Sequence, residues 1–269
     1  MQKKVVHGFS ERKERPMADK DVVYADSPAD GVQVIYLNQP AKKNAISAEM
    51  MIKLDGLLAA ADADADVRVV LLRGEGDVFS SGGDLSQSDH KPTPEEARAT
   101  FLNYVHLIQR MRTMAKPIVA MVDRYAVGGA FAMTLASDLV VATERTAFVP
   151  AFCQIGIIPE MGMMDMLPKL VGMQRAKEIL YIGGKIPAAK MHEWGLVNRL
   201  TTPEELESAA MDLARTVASM PAPSIQITKG ILNSLADGNL NACMQAESTA
   251  SPFCTTTAAY AKTMERFNK

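Results

Sequence analysis

The chain has 269 residues, of which 48% are apolar and 22% are charged, values that are ordinary for globular proteins. This composition excludes a wholly disordered chain, a collagen-like sequence and a small disulfide scaffold. The net charge of −2, from 29 basic and 31 acidic residues, gives no basic footprint for nucleic acid. We therefore expect no nucleic-acid partner.

The first 20 residues differ from the rest of the chain in charge. Residues 1–16 sum to +3, so the remainder sums to −5. The segment has little apolar periodicity and lacks the apolar stretch of a secretory signal. We predict that 1–20 is a mobile N-terminal arm, or a misplaced start that precedes Met17.

The cysteines show neither close pairing nor metal-ligand spacing, which favours a reduced, cytoplasmic setting. They are Cys153, Cys243 and Cys254. The most apolar long stretch, Tyr125–Ala142, contains Asp138, and the cost of burying that charge in lipid favours a core segment over a membrane span. We expect a cytoplasmic protein with no membrane partner, no metal and no redox cofactor.

Strand and helix signals alternate along the chain. The β-branched and aromatic run Gly31–Leu37 predicts a strand, and an apolar stripe over 48–61, capped by Ser47, predicts a helix. The same signals predict strands over Val67–Leu72, Pro117–Val122 and Leu139–Ala142, and helices from Thr93 to about Met114 and over Gly128–Ala136. This alternation indicates a layered α/β fold.

Two capping boxes with proline at the first helical position open predicted helices, at Thr93–Glu96 and at Thr202–Glu205. The second helix runs to about Ser219, and helical patterns continue to the end. Because no linker divides the chain, we predict one core over 21–200 and a helical C-terminal region over 201–269.

Two glycine pairs follow predicted strands. Gly82 and Gly83 lie in the segment Phe79–Leu85, and Gly128 and Gly129 begin a predicted helix. Glycine permits positive φ and close approach of a ligand, and the first N–H groups of a helix lack intrahelical acceptors. A tight turn and close helix packing explain the same residues without a ligand. Neither pair belongs to a dinucleotide or phosphate-loop fingerprint.

A single carboxylate, Glu160, lies in a segment with no other charged residue from Ala147 to Met164. Apolar surroundings raise the pKa of a carboxyl group, which suits proton transfer near neutral pH. The alternative is an acid on a surface loop after a proline. Asp165 is the nearest rival carboxylate, and its place favours a capping or solvent-facing role.

Taken together, these segments resemble the crotonase (enoyl-CoA hydratase/isomerase) superfamily from about residue 22 to the C-terminus. The resemblance rests on the order of Gln39–Ser47, Phe79–Leu85, Ala126–Gly129, Ser137–Asp138, Ile155–Glu160 and Ala188–Val197. It implies an α/β spiral of ββα units with a helical C-terminal trimerisation region, assembled as a homotrimer or hexamer. It also implies an acyl-CoA thioester substrate and no separate cofactor.

The resemblance assigns the N–H groups of Gly83 and Gly129 to an oxyanion hole, where two amides and a helix dipole stabilise the enolate of a thioester. It assigns contacts to coenzyme A, many of them through the main chain, to Lys43, Ala45, Ser81, Asp84 and Leu85. Tyr260 is the aromatic at the place where a C-terminal segment often closes the coenzyme A site.

Acid and base groups distinguish the members of this superfamily. Ala132 and Phe152 stand where hydratases carry their two glutamates, which disfavours hydration. Glu160 is similar to the Pro-Glu of 3-enoyl-CoA to 2-enoyl-CoA isomerases and to the Pro-Asp of phenylacetate-pathway isomerases. We therefore predict an acyl-CoA double-bond isomerase with Glu160 as proton shuttle, inside an apolar wall that excludes water. The predicted wall residues are Phe152, Ile157, Ile158, Met161 and Met164.

Two alternatives stay open from the sequence. One is another crotonase-type reaction, such as that of an enoyl-CoA hydratase, a lyase or a ring-modifying enzyme. The other is a non-catalytic acyl-CoA-binding protein, which would be stabilised thermally by coenzyme A without turning over any substrate.

Overall fold

A computed structural model of the protein describes residues 21–29, 31–84, 94–156, 158–235 and 258, with the backbone alone for 94–101. The predicted arm over 1–20 lies outside these residues. So do other positions that the sequence singled out, namely Leu85, Ile157, Cys243, Cys254 and Tyr260. The division into arm, core and helical C-terminal region therefore stays a prediction.

The described chain alternates strands and helices. The strands are β1 (Val23–Ala29), β2 (Val32–Leu37), β3 (Val69–Gly74), β4 (Ile118–Val122), β5 (Tyr125–Val127), β6 (Leu139–Thr143), β7 (Ala147–Val149), β8 (Ile186–Pro187) and β9 (Arg199–Thr201). The helices are α1 (Ala48–Ala63), α2 (Pro94–Thr113), α3 (Gly129–Ala136), α4 (Met163–Val171), α5 (Met173–Ile182), α6 (Ala188–Glu193), α7 (Leu206–Ser219) and α8 (Ala222–Ser234). A larger sheet has the order β1-β2-β3-β4-β6-β9, parallel except for β1, and a smaller sheet has the order β5-β7-β8.

Successive turns of the chain repeat one unit: a strand of the larger sheet, a short segment beside the smaller sheet, and a helix. β4, β5 and α3 form one unit, and β6, β7 and α4 form the next. In the two preceding units, isolated bridges replace the short strand, since Ile46 pairs with Gly83 and Ser80 pairs with Ala126. The predicted spiral of ββα units is confirmed. It stacks the segments that precede the helices next to one another.

The predicted starts of α1 and β3 agree with the structure to within two residues. Ser47 caps α1, because its Oγ accepts a hydrogen bond from Met50 N at 3.1 Å. The third strand begins at Val69 rather than Val67, because Val67 N donates at 3.3 Å to the Asp64 carbonyl and so belongs to the turn after α1. The apolar character of Val67 reflects burial in that turn.

The predicted capping box before α7 is wrong. The helix begins at Leu206 with Glu205 as its N-cap, and no side chain makes a capping hydrogen bond. The Thr202 carbonyl instead accepts a hydrogen bond from Glu205 N at 3.3 Å, which closes a turn. The proline at 203 therefore initiates a turn here rather than the helix itself.

The larger sheet is covered on both faces by apolar side chains. One face meets α1, α2 and α3, and the other meets α7 through Leu206, Ala210 and Met211. This double burial explains why β3 and β4 read as continuous apolar runs. Among the described residues, no helix has both the length and the apolar character needed to cross a membrane.

A buried ion pair fixes α8 to the amino-terminal ends of β4 and β6. Lys229 Nζ lies 2.8 Å from Asp138 Oδ2 and donates to the carbonyls of Met111 and Lys116. Asp138 also accepts a hydrogen bond from Ile118 N at 2.7 Å. Burial raises the pKa of Asp138 and lowers that of Lys229, so each charge depends on the other.

Candidate active site

The first glycine pair lies in a turn held by backbone hydrogen bonds. Ile46 N donates to the Gly82 carbonyl at 2.7 Å, and Asp84 N donates to the Ile46 carbonyl at 3.0 Å. These two bonds lie on either side of Gly83. The residue Gly83 is exposed, and its own amide takes part in neither bond. Gly82 has a φ of +87° and needs the freedom of glycine, whereas Gly83 has no positive φ.

The second glycine pair stands directly beside the first. Val127 N donates to the Ser80 carbonyl at 3.3 Å, and a Cβ on Gly82 would lie 2.7 Å from the Val127 carbonyl oxygen. Gly129 is the first residue of α3, so its N–H has no acceptor within the helix. The fold thus brings the segments of Gly83 and Gly129 together, and no backbone hydrogen bond of the described residues uses the amide of Gly83.

Glu160 lies between a 3-10 helix at Cys153–Ile155 and the start of α4, and it is half-buried. Its neighbours Pro159 and Met161 are buried. Burial raises the pKa of Glu160 above its ordinary value, and no described residue forms an ion pair or side-chain hydrogen bond with it. A raised pKa makes the carboxylate a stronger proton acceptor than an ordinary surface glutamate.

Met161 connects the Glu160 loop to the second glycine pair. A Cβ on Gly129 would lie only 2.7 Å from Met161 Sδ, so the thioether rests on the first turn of α3. Met161 has a φ of +56°, a conformation that residues with a side chain rarely adopt. Because its side chain is buried in the core, packing holds this backbone in place and fixes Glu160 relative to Gly129.

The predicted apolar wall is only partly formed by the described residues. Phe152 and Met161 are buried, and the Phe152 ring lies 3.7 Å from the place of a Cβ on Gly128. Ile158 and Met164 are 66% and 53% exposed, so neither packs in the core of this chain, and their place in the wall stays a prediction. The loop and the first turn of α4 direct them to the surface of this chain.

Three other candidate groups are exposed or bonded to their neighbours. Asp165 is exposed in the first turn of α4 and pairs with Lys169 at 2.5 Å. Cys153 is exposed, and His192 Nδ1 lies 2.6 Å from the Val197 carbonyl. Within the described ranges, no group of three histidine, cysteine or acidic side chains could hold a metal ion.

The predicted coenzyme A contacts lie on two joined loops beside Gly83. Ser81 N donates to the Lys43 carbonyl at 2.9 Å, which links the loops. Lys43 is exposed and Ala45 is buried, while Asp84 pairs with Lys42 at 3.0 Å. Four of the five predicted positions are therefore close in the chain's fold, and the fifth is outside the described residues.

Asn44 supports these loops and was not assigned a role from the sequence. It is fully buried with a φ of +53°, its Oδ1 accepts from Gln39 N, and its Nδ2 donates to the carbonyls of Glu75 and Val78. Asparagine tolerates the left-handed region and bonds to nearby backbone. The preference of asparagine for left-handed turns is the sequence feature that could have predicted this supporting role within the segment Gln39–Ser47.

One cavity, of about 410 Å³, lies away from this site, at the amino-terminal end of β6. Arg112, Asp138 and Lys169 are among its lining residues, and neither glycine pair nor Glu160 reaches it. Its lining carries these three charged side chains. The candidate site at the glycine pairs and Glu160 is therefore separate from this cavity.

A family model described as enoyl-CoA hydratase/isomerase matches residues 28–269. The chain belongs to the enoyl-CoA hydratase/isomerase family. A 4-chlorobenzoyl coenzyme A dehalogenase-2 of Arthrobacter sp is 34% identical over 221 residues, covering 81% of this chain and 80% of the relative. A 1,2-epoxyphenylacetyl-CoA isomerase of Escherichia coli is 30% identical over 220 residues, covering 81% and 84%.

Solved structures of similar proteins confirm the crotonase fold. An enoyl-CoA hydratase from Bacillus anthracis superposes with a TM-score of 0.88 at 26% identity, over 92% of this chain and 96% of that one. A putative enoyl-CoA hydratase from Streptomyces coelicolor gives the same TM-score of 0.88 at 27% identity, over 95% and 94%. The chain is thus an enzyme of the enoyl-CoA hydratase/isomerase family.

For this member of the enoyl-CoA hydratase/isomerase family, the two positions where the resemblance places hydratase glutamates both lie at the second glycine pair. Ala132 is fully buried in α3, and its N–H donates to the Gly128 carbonyl at 3.0 Å. The Phe152 ring packs over Gly128. Neither side chain can hold or activate a water molecule.

Proposed function

We propose that the protein is an acyl-CoA double-bond isomerase that converts a 3-enoyl-CoA to the conjugated 2-enoyl-CoA. The observation that carries the proposal is the half-buried Glu160, whose pKa is raised by burial and whose loop packs through Met161 onto Gly129. An isomerase needs one group that moves a proton between two carbons. A hydratase of the usual kind needs two carboxylates, and here Ala132 and Phe152 occupy their positions.

The proposed reaction moves one proton and no other atom. The Glu160 carboxylate takes a proton from the carbon alpha to the thioester, and the electron pair of that C–H bond forms a dienolate. Its oxygen accepts hydrogen bonds from the amides of Gly83 and Gly129, at the positive end of the α3 dipole. The carboxyl group then returns the proton to the gamma carbon. The double bond thereby moves into conjugation.

Within this proposal, coenzyme A is part of the substrate and no separate cofactor takes part. Lys43, Ala45, Ser81 and Asp84 support the nucleotide and pantetheine portions from the two joined loops. Two relatives bear names with aromatic acyl groups, 4-chlorobenzoyl and 1,2-epoxyphenylacetyl. Ring-bearing enoyl-CoA thioesters therefore belong among the first substrates to test.

An activity screen tests this function. Straight-chain and ring-bearing 3-enoyl-CoA and 2-enoyl-CoA thioesters are incubated with the enzyme, and the ultraviolet absorbance of the conjugated product is followed. We expect 3-enoyl-CoA to be converted without uptake of water, and 2-enoyl-CoA to resist hydration. Rapid hydration of 2-enoyl-CoA with no isomerisation favours the hydratase alternative. A relative with that activity in its name supports testing it: a short-chain-enoyl-CoA hydratase of Clostridium acetobutylicum is 27% identical over 227 residues.

We also propose that the protein assembles as a homotrimer or hexamer. Tyr181 and Ile182, at the end of α5, are each 70% exposed, and Gln154 Nε2 donates to the Ile182 carbonyl, which places the exposed Ile155 beside them. An apolar surface of this kind is typical of contacts between subunits. Light scattering is expected to give three or six times the 29.1 kDa of the chain. A particle of single-chain mass at micromolar concentration contradicts the proposal.

A further inference from the structure

Asn44 is a fully buried side chain that joins two loops. Its Oδ1 accepts a hydrogen bond from Gln39 N at 2.9 Å, at the start of its own loop. Its Nδ2 donates at 2.9 Å to the Glu75 carbonyl and at 2.7 Å to the Val78 carbonyl, in the loop that follows β3. One carboxamide therefore ties the loop before α1 to the loop that leads to the first glycine pair.

The backbone around Asn44 has an uncommon conformation. Lys43 and Asn44 both have a φ of +53°. Two adjacent residues with side chains adopt the left-handed region only where the surrounding structure imposes it. Gly74, the last residue of β3, leaves the room for the amide, because a Cβ there would lie 2.6 Å from Asn44 Nδ2. The three hydrogen bonds of Asn44 thus hold a strained loop in one arrangement.

The Asn44 loop in turn holds the backbone on both sides of Gly83. Three bonds between backbone groups join the two segments: Ser81 N to the Lys43 carbonyl at 2.9 Å, Ile46 N to the Gly82 carbonyl at 2.7 Å, and Asp84 N to the Ile46 carbonyl at 3.0 Å. None of these three bonds uses Gly83 N, the amide assigned to the oxyanion hole. The direction of that N–H is therefore set by the loop to which its neighbours are bonded.

We propose that Asn44 is a positioning residue for the oxyanion hole, because its carboxamide holds the loop that aims the N–H of Gly83 at the thioester oxygen. The inference rests on the proposed function for the two-amide arrangement. It goes beyond that function by naming the side chain that keeps one of the two donors in place. Asn44 acts through the backbone and is assigned no part in proton transfer or in contact with the substrate.

The expected size of the effect follows from hydrogen-bond geometry. An N–H···O bond weakens steeply as it bends, and one donor of an oxyanion hole contributes about 10²–10³ in rate. Loss of the Asn44 carboxamide misplaces the donor without removing it, so we expect kcat to fall by about 10- to 100-fold. KM is expected to rise as well, because Lys43 and Ala45, on the same loop, are predicted contacts of coenzyme A.

The test variant is Asn44→Gly, because glycine adopts a φ of +53° without strain and removes only the side chain. Asn44→Asp is the second variant. It keeps the volume and the acceptor for Gln39 N, but when ionised it offers no donor to the two carbonyls. Where one of these variants does not fold, the other decides.

Asn198→Ala is the matched control. The Oδ1 of Asn198 accepts a hydrogen bond from Val140 N at 2.7 Å, so this variant also removes a bond between an asparagine and the backbone. Asn198 lines the cavity at β6, which neither glycine pair reaches. The control is expected to lower the melting temperature without changing kcat.

The deciding readout is the carbonyl stretching frequency of a bound saturated acyl-CoA that carries carbon-13 at the thioester carbonyl. It is measured by infrared difference spectroscopy at saturating ligand, below the melting temperature of each variant. Hydrogen bonds to that oxygen lower the frequency, and a merely structural role of Asn44 leaves the lowering unchanged in the folded enzyme. We expect the same lowering in the wild type and in Asn198→Ala, and a smaller one in both Asn44 variants.

The outcomes separate this inference from the proposed function. A smaller lowering in the Asn44 variants supports the inference, even if the activity screen finds a reaction other than isomerisation. Equal lowering in the wild type and in the Asn44 variants overturns the inference and leaves the proposed function standing. No lowering in the wild type contradicts the two-amide arrangement and overturns the inference with it.

Discussion

Glu160→Gln is expected to lower isomerase turnover by about 10²–10⁴-fold, the usual contribution of a positioned acid–base group. Glutamine keeps the size of the side chain, so the buried neighbours Pro159 and Met161 stay packed. Because the amides of Gly83 and Gly129 are untouched, acyl-CoA binding is expected to persist. The measurements are turnover of the best 3-enoyl-CoA and binding of a saturated acyl-CoA by calorimetry.

Exchange of the alpha proton with solvent deuterium is expected to fall together with turnover in Glu160→Gln, because one carboxylate begins both processes. Asp165→Asn is the matched control. That carboxylate is exposed and paired with Lys169, so its loss should leave turnover unchanged. Full activity in Glu160→Gln combined with a large loss in Asp165→Asn would transfer the role of base to Asp165.

Gly82→Ala is expected to lower turnover by about 10²–10³-fold by misaligning the oxyanion hole. The new Cβ would lie 2.7 Å from the Val127 carbonyl oxygen, and the φ of +87° is itself unfavourable for alanine. Val127 directly precedes the second glycine pair, so relief of this clash must displace the segment of Gly83 or that of Gly129. The free energy of unfolding is expected to fall by about 1–3 kcal/mol.

Gly76→Ala is the control that distinguishes backbone strain at a glycine of positive φ from misalignment of the oxyanion hole. Gly76 also has a positive φ, of +75°, but its Cβ would meet only Pro40 Cβ at an ordinary 3.7 Å. This variant should therefore lose stability without losing turnover per folded enzyme, as measured by thermal denaturation and steady-state kinetics. Equal turnover in Gly82→Ala and the wild type would remove the two-amide arrangement from the mechanism.

The candidate catalytic residues could be predicted from the sequence because they are recognised by residue type and by their neighbours along the chain. Glu160 is the one charged residue between Ala147 and Met164, and glycines directly before a predicted helix are visible without any tertiary contact. The α/β alternation follows in the same way from apolar runs and caps, as at Ser47. Those features also carry the resemblance to the family, whose fold the structure shows.

Which residues meet one another was decided only by the tertiary structure. The bridges of Ile46 with Gly83 and of Ser80 with Ala126 join turns that are about 40 residues apart, and no local pattern encodes such pairing. Whether an apolar side chain is buried depends equally on its environment. Met161 is buried against Gly129 while Ile158, three positions earlier, faces outward.

The sequence by itself thus determined several strands and helices of the core, the candidate base and the two glycine pairs, because these arise from composition and short-range periodicity. The tertiary structure decided that the pairs lie side by side, that burial raises the pKa of Glu160, and that Met161 packs against Gly129. It also showed that the turn at Thr202 is not a helix cap. These outcomes depend on contacts between distant segments, whose free energies no local sequence pattern contains.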